Sequence, residues 1–268
     1  MNKILLFIPM YNCEKQIVRV LGQLDDDICR YLSEVIVINN RSTDNGEEAV
    51  KRYLSEHTLP IKASLLRNDD NYGLGGSHKV AFQYAIDNGF DYIIVLHGDD
   101  QGSVNDLLPA LRCRGYRKYD CCLGARFSSK SILIGYSKFR ILGNQVFNAI
   151  FSVVMRRRIY DLGAGLNMYD VNMLKNQYFH TYPDNLTFNV YMLMATKAYE
   201  QKYCFFPLSW RETDQISNAK VMRQALKTLK MAVGFAKKGK LFLETDTRDR
   251  KIDRYTYQLV YRGGNNED

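Results

Sequence analysis

Apolar and polar positions along this chain alternate between two periods. Short runs with few polar residues, "KILLFIP" (3–9), "EVIVIN" (34–39), "IKASLL" (61–66), "DYIIVLH" (91–97) and "YDCCLGA" (119–125), have the length and β-branched content of buried strands. Between them, 14–24, 44–56, 75–88 and 103–113 carry the 3–4 spacing of amphipathic helices. Asp44 is a candidate N-cap for the second of these, with Glu47 three residues on. Strand–helix alternation of this kind predicts an α/β fold, a mostly parallel sheet covered on both faces.

After residue 125 the rhythm changes. Helical stretches dominate 137–158, and "DLGAGLNMYD" (161–170) reads as a strand or turn entering a helix. Residues 186–201 read as a helix and "YCFFPLSW" (203–210) as a late strand. The expected division is a domain over 1–218, a basic amphipathic helix over 219–240, and an extension over 241–268 whose final residues are disordered.

Composition narrows the class. With 268 residues, 46% hydrophobic and 25% charged, the chain is long enough for one sizeable core. None of the six cysteines (Cys13, Cys29, Cys113, Cys121, Cys122, Cys204) forms a C-x-x-C pair, so all six are expected reduced, in a cytosolic setting. No small-residue cleavage site follows the first apolar run, which reads as a strand rather than a signal peptide. The uncharged stretch 141–155 would be a helix of about 22 Å, short of a bilayer core of about 30 Å. The net charge is +8, and 219–240 holds seven Lys/Arg and no acid, which suggests an anionic partner. Nucleic acid is disfavoured, because Phe235 is the one aromatic side chain among those lysines. The same stretch sets Met222, Ala225, Leu226, Leu229 and Val233 on one helical face. That face either rests on anionic lipid, as in a peripheral membrane protein at the cytoplasmic face, or packs on the core.

Ligands of open α/β sheets sit outside the carboxyl ends of the strands. "LHGDDQ" brings His97, Asp99, Asp100 and Gln101 to such an end, an oxygen-rich set suited to Mg²⁺ or Mn²⁺ or, alternatively, a polar helix start capped by an aspartate. "IPMYN", "INNRSTDNG" and "RNDDNYGLGG" put further polar turns, including Asn71, on the same edge. A Rossmann dinucleotide fingerprint is absent, since "GLGGSH" lacks G-x-G-x-x-G.

Taken in order, "IPMYNCEKQI", "VINNRSTDNG", "NDDNYGLGGSHKVAFQYA", "LHGDDQ", "LGARF" and "DLGAGLNMYD" resemble the family 2 glycosyltransferases of GT-A fold. The resemblance covers about residues 4–220 and is greatest to the branch of dolichyl-phosphate mannose synthase and polyprenyl-phosphate sugar transferases. It implies a Rossmann-like sheet with a helical acceptor-side region, and metal-dependent, inverting transfer from a nucleotide-diphosphate sugar to a polyprenyl-phosphate, lipid-linked or cell-surface glycan acceptor. A non-catalytic sugar-nucleotide-binding homologue or scaffold is the alternative.

By the resemblance, Pro9, Tyr11 and Glu14 form the first nucleotide-binding loop, and Asn39 and Asn40 stand where the family usually has two aspartates. Gly73, Gly75 and Gly76 match its glycine turn. The family's Asp-x-Asp-x-Gln becomes His97-Gly98-Asp99-Asp100-Gln101, so Asp99 is the implied main metal ligand with Gln101 assisting. His97 is a ligand, a diphosphate donor or a packed histidine. Arg126, Arg140, Asn144, Arg211 and Ser217 fall on acceptor-side positions, with the spacing after Arg211 stretched. Asp161, Asp184, Glu212 and Asp214 are the candidate general bases, and the lack of an obvious one favours a phosphate acceptor, already anionic.

Overall fold

A computed structural model describes residues 2–212 and 221–264, and backbone alone for 221–224. The first half follows the predicted alternation: β1 (Ile4–Met10), α1 (Glu14–Leu21), α2 (Asp26–Cys29), β2 (Glu34–Asn39), α3 (Gly46–Glu56), β3 (Lys62–Asn68), α4 (Gly73–Asp87) and β4 (Tyr92–Leu96). The expected helix at 103–113 is a 3₁₀ turn, Val104–Leu107, running into the short α5 (Leu108–Arg112), where Pro109 sits at the first turn. The second half holds β5 (Cys121–Ala125), β6 (Ile132–Ile134), α6 (Lys138–Met155), β7 (Leu166–Asp170), α7 (Val171–Leu174), α8 (Phe188–Ala198), β8 (Tyr203–Pro207), β9 (Ser209–Arg211), α9 (Val221–Lys238), α10 (Lys240–Glu244) and β10 (Tyr257–Gly263).

Eight strands form one sheet in the order β10-β3-β2-β1-β4-β7-β5-β8. β3, β2, β1 and β4 are mutually parallel, as their continuous apolar runs require. The stretch 161–170 supplies β7, which runs antiparallel between β4 and β5. β10, for which the pattern gave no signal, closes the far edge antiparallel to β3. Strand 203–210 breaks at Leu208, and its second part pairs with β6 in a separate two-stranded ribbon.

Pleating sends alternate side chains to two cores. Leu5, Phe7, Ile36 and Ile38 face the layer of α4, α6 and α8, while Leu6, Ile8, Val35 and Val37 face that of α1 and α3. Cys121 and Cys122 go to opposite faces as predicted, and all six cysteines are free. The N-cap of α3 is Asn45 and not the expected Asp44, which sits one residue before it and reaches two helices. Asp44 Oδ1 accepts from Gly46 N at 3.1 Å and its Oδ2 from Glu14 N at 2.9 Å, so one carboxylate serves the starts of α3 and α1.

The start of α4 is pressed against the 183–185 segment. A Cβ on Gly75 would lie 2.4 Å from Pro183 O, and one on Gly73 (φ +71°) 2.3 Å from Asp184 O. One turn on, the fully buried Lys79 donates to Tyr182 O at 2.6 Å, Asp184 Oδ1 at 2.7 Å and Tyr255 Oη at 3.1 Å. Removing one partner of such a pair strands the other's charge. Lys79→Ala is therefore expected to cost about 3–5 kcal/mol, read as a lower thermal or urea midpoint.

Candidate functional site

The chain runs outward through β1, β2 and β3, then crosses back to place β4 on the other side of β1. The loops leaving β1 and β4 therefore diverge, and the crevice between them is where an α/β sheet binds its ligand. A cleft of about 360 Å³ opens there. It brings together Pro9, Tyr11, Asn40, Asn71, Gly73, His97 and Asp99 of the residues singled out from sequence. Glu14, Asn39, Gly75, Gln101, Arg126, Arg140, Asn144, Asp161 and Arg211 do not line it, and Ser217 and Asp214 lie outside the described residues. None of the singled-out residues lines a second cavity of about 570 Å³ beside Lys79, His180 and Tyr255.

The two adjacent carboxylates after β4 avoid each other by backbone conformation. Asp100 adopts φ +58°, uncommon for a residue with a Cβ. Its carboxylate leaves the cleft, taking Arg19 Nε at 2.6 Å and Gln23 Nε2 at 3.2 Å, both from the α1 side. Asp99 lines the cleft, accepting a long bond from Gln101 N at 3.3 Å, with no ion pair among the described residues. Burial pushes its carboxyl pKa upward, the bond from Gln101 N opposes that, and the nearby Asp100 and Arg126 act in opposite directions. One carboxylate is thus neutralised by protein and the other is left for something else.

His97 is fixed by its backbone, whose N donates to Gly165 O at 2.8 Å. A Cβ on Gly165 would lie 2.8 Å from the imidazole ring. Nε2 is buried without a partner among the described residues, and His78 packs edge-on at 6.1 Å, its own Nε2 likewise unpartnered among them. Burial, then the charge of Arg126, lowers the His97 pKa to about 4, and burial lowers that of His78 to about 3. Both rings are neutral near pH 7.

The asparagine pair serves the loops. Asn39 donates to Glu47 Oε2 at 2.7 Å and accepts from Ser42 N at 2.8 Å. Asn40 donates to Asn71 Oδ1 at 2.8 Å and accepts from Asn68 Nδ2 and Tyr72 N, each at 2.9 Å. Asn71 in turn accepts from Gly73 N at 3.0 Å. This chain of amides ties the end of β2 to the start of α4 and forms one wall of the cleft.

Two of the acceptor-side arginines, Arg126 and Arg140, are paired with candidate bases. Asp161 is buried and accepts four hydrogen bonds: from Arg126 N (2.9 Å), Nε (2.8 Å) and Nη2 (2.8 Å), and from Gly163 N (3.1 Å). Its acceptor sites are filled. Arg140 Nη1 donates to Glu212 Oε2 at 2.5 Å, and Asn144 donates to Arg140 O at 2.7 Å and Tyr136 Oη at 3.3 Å. Asp184 is held by Lys79 and Tyr255. Arg211 N donates to Gln101 O at 2.9 Å, which ties β9 to the acidic loop, while its side chain is exposed with no partner among the described residues.

Sequence reasoning missed Arg19 and Lys79. Arg19 carries no local signal, since only the fold brings it to Asp100. Lys79 does carry one, as the sole charge in the apolar run "YGLGGSHKVAFQYAI" (72–86).

A divalent cation fits what the cleft presents. Mg²⁺ is typically held by one or two carboxylates, the remaining oxygens coming from phosphates and water, and Asp99 supplies one unpaired carboxylate. Among the described residues, no group of three or more His, Cys, Asp or Glu side chains forms an all-protein cage.

Comparison with known proteins follows the same line. A sequence model described as "Glycosyl transferase family 2" matches residues 6–176. An undecaprenyl-phosphate mannosyltransferase of Micrococcus luteus is 22% identical over 174 residues, covering 65% of this chain and 68% of that protein. Solved structures share the fold. S. aureus TarS 1-349 in complex with UDP-GlcNAc aligns at TM-score 0.55 and 16% identity over 90% of this chain and 69% of that one. Glucosyl-3-phosphoglycerate synthase from Mycobacterium tuberculosis in complex with UDP aligns at 0.57 and 14%, over 87% and 80%.

The two histidines set a pH response. A base whose pKa falls on folding takes up protons more readily when unfolded, so stability drops as pH is lowered through the window between the two values. The thermal midpoint is expected to fall as pH goes from 6.5 toward 4, at up to about 1.4 kcal/mol per pH unit for each ring, and His97→Gln should flatten that slope.

Proposed function

The chain belongs to glycosyl transferase family 2, and from that premise we propose that it moves a sugar, with inversion, from a nucleotide-diphosphate donor to a polyprenyl-phosphate acceptor. The observation that carries the donor half is the unpaired carboxylate of Asp99 in the crevice between the β1 and β4 loops. A carboxylate whose charge is disfavoured by burial gains most from a cation, and a cation there would share its remaining coordination with a diphosphate. Asp99 is the ligand we assign, with His97 on the same wall of the cleft. When bound, Mg²⁺ or Mn²⁺ supplies positive charge to the departing diphosphate.

The chain's own residues do the rest. Asn40, Asn71 and Gly73 present a rigid, hydrogen-bonded wall to the donor, with Tyr11 and Leu186 exposed at the rim. Arg126, oriented by Asp161 and stacked against Trp210 at 5.1 Å, adds a fixed positive potential that reaches both His97 and Asp99. The acceptor oxygen forms the new bond to the anomeric carbon. The bond from that carbon to the donor phosphate oxygen breaks, and the diphosphate leaves with the electron pair.

The acceptor half rests on the three candidate bases among the described residues. Asp161, Asp184 and Glu212 each hold a cation, and each would have to give up an ion pair to take a proton. A phosphate acceptor has no proton to lose, and this agrees with the printed name of the Micrococcus luteus relative. An incoming phosphate would compete with Glu212 for Arg140, whose side chain is 40% exposed. Asn39 takes up both ends of its amide within the β2–α3 loop, so the donor's base would be recognised by other groups.

Asp99→Asn separates the roles. It should lower transfer by more than about 100-fold. It should also raise the metal-free thermal midpoint at neutral pH, since a carboxyl whose pKa rises on folding costs stability above that pKa; each kcal/mol relieved is worth about 2–4 °C at this size. The assay is metal-dependent transfer from UDP- and GDP-sugars to polyprenyl phosphate, followed by lipid extraction. Label found only on water-soluble oligosaccharide would end the lipid-phosphate reading. Donor binding without turnover on any acceptor would mark a non-catalytic homologue.

A further inference from the structure

Helix α6 keeps its apolar residues on both sides. Asn148, Phe151 and Met155 go into the core, yet Phe139, Leu142, Val146, Ala149 and Val153 stand outside, a second stripe at strict 3–4 spacing. Their exposures are those of surface lysines: 78% for Phe139, 61% for Leu142, 51% for Val146 and 78% for Val153. Ile132 and Ile134 on β6 are exposed just before it in the chain. Helix α9 packs against α6 and repeats the arrangement. Thr228, Met231, Ala232 and Phe235 are buried, while Leu226, Leu229 and Val233, the stripe visible in the sequence, face out. So the apolar stripe of α9 is not what packs on the core. Contiguous exposed apolar groups on this scale mark an interaction surface.

Along the two helices themselves the charge has one sign. Residues 121–160 contain seven Lys/Arg and no Asp or Glu, and 221–243 contain six and again none. Lys138, Arg156, Arg157 and Arg158 are exposed at the two ends of α6, and Lys227, Lys230, Lys237 and Lys238 along α9. A second copy docking here through a two-fold axis would set these acid-free helices against themselves. Nucleic acid would call for stacking aromatics, and the outward groups other than Phe139 are aliphatic. Anionic lipid satisfies both halves, the cations at the headgroups and the aliphatic stripe among the acyl chains.

We propose that the outer faces of α6 and α9 form one docking surface for an anionic bilayer, on which the protein lies as a peripheral enzyme. No helix among the described residues is long and apolar enough to cross a membrane, so the contact is interfacial. The proposal rests on the lipid-phosphate reading for its purpose, since the acceptor in that reading is carried in a bilayer.

Docking is measured without substrate. The full chain is sedimented with vesicles of equal parts phosphatidylglycerol and phosphatidylcholine, and with phosphatidylcholine alone, at low and high salt. It should pellet with the anionic vesicles and less so as salt rises. Phe139→Ser with Val153→Ser should lower the partition coefficient about tenfold or more. Lys227→Glu with Lys230→Glu should remove the preference for anionic lipid. Both variants change exposed side chains and should keep the wild-type thermal midpoint. Absence of binding, or binding that neither variant alters, overturns the proposal. So does a concentration-dependent dimer in the ultracentrifuge that Phe139→Ser dissolves, which would assign the face to a second copy. A protein that docks on vesicles yet glycosylates only a water-soluble acceptor upholds the surface and ends the lipid-phosphate reading.

Discussion

Two like charges on neighbouring residues cannot share a sheet edge unless the backbone separates them, and the geometry after β4 is built on that separation. The left-handed conformation of Asp100 turns one carboxylate back to Arg19 and Gln23 and leaves Asp99 alone in the crevice. The surrounding loops hold that arrangement. Gly98 lies so close to β1 that a Cβ would be 2.8 Å from Pro9 O, and Gly165 so close to His97 that a Cβ would touch the ring. Protein charge could have neutralised both aspartates; it neutralises one.

Ion pairs then set the outer frame. Lys79–Asp184 binds α4 to the segment before α8, Arg126–Asp161 binds the end of β5 to the loop before β7, and Arg140–Glu212 binds α6 to the end of β9. The first joins an element of the cleft to the second half of the chain, and the other two join segments within that half. Each also removes a carboxylate from the pool of proton acceptors.

Much of this was legible in the sequence. The parallel core was, because strands buried on both faces must be apolar throughout, as "KILLFIP" and "EVIVIN" are. The cleft was, because Pro9, Tyr11, Asn40, Asn71, Gly73, His97 and Asp99 sit at strand ends or loops on one edge. The pairing of Arg126 with Asp161 was hidden, since 35 residues separate them and only the insertion of β7 beside β5 brings them together. The outward stripe of α6 was hidden for a different reason. A helix apolar on two faces reads as simply hydrophobic, and only the packing tells which face the core takes. β10 gave no sign because its residues are half polar, as an edge strand's are.

The position of β10 has a consequence for how the chain comes to be folded. It covers the open edge of β3, with Tyr257 opposite Asn68 and Gly263 opposite Ala63, partners far apart in the sequence. On the ribosome, β1 to β4 emerge long before that partner. The nascent sheet must wait with one flank of amide and carbonyl groups bare, exposed to pairing with any passing strand. About 190 residues must be made after β3 before that flank is covered, which makes this pairing a strongly non-local step of folding.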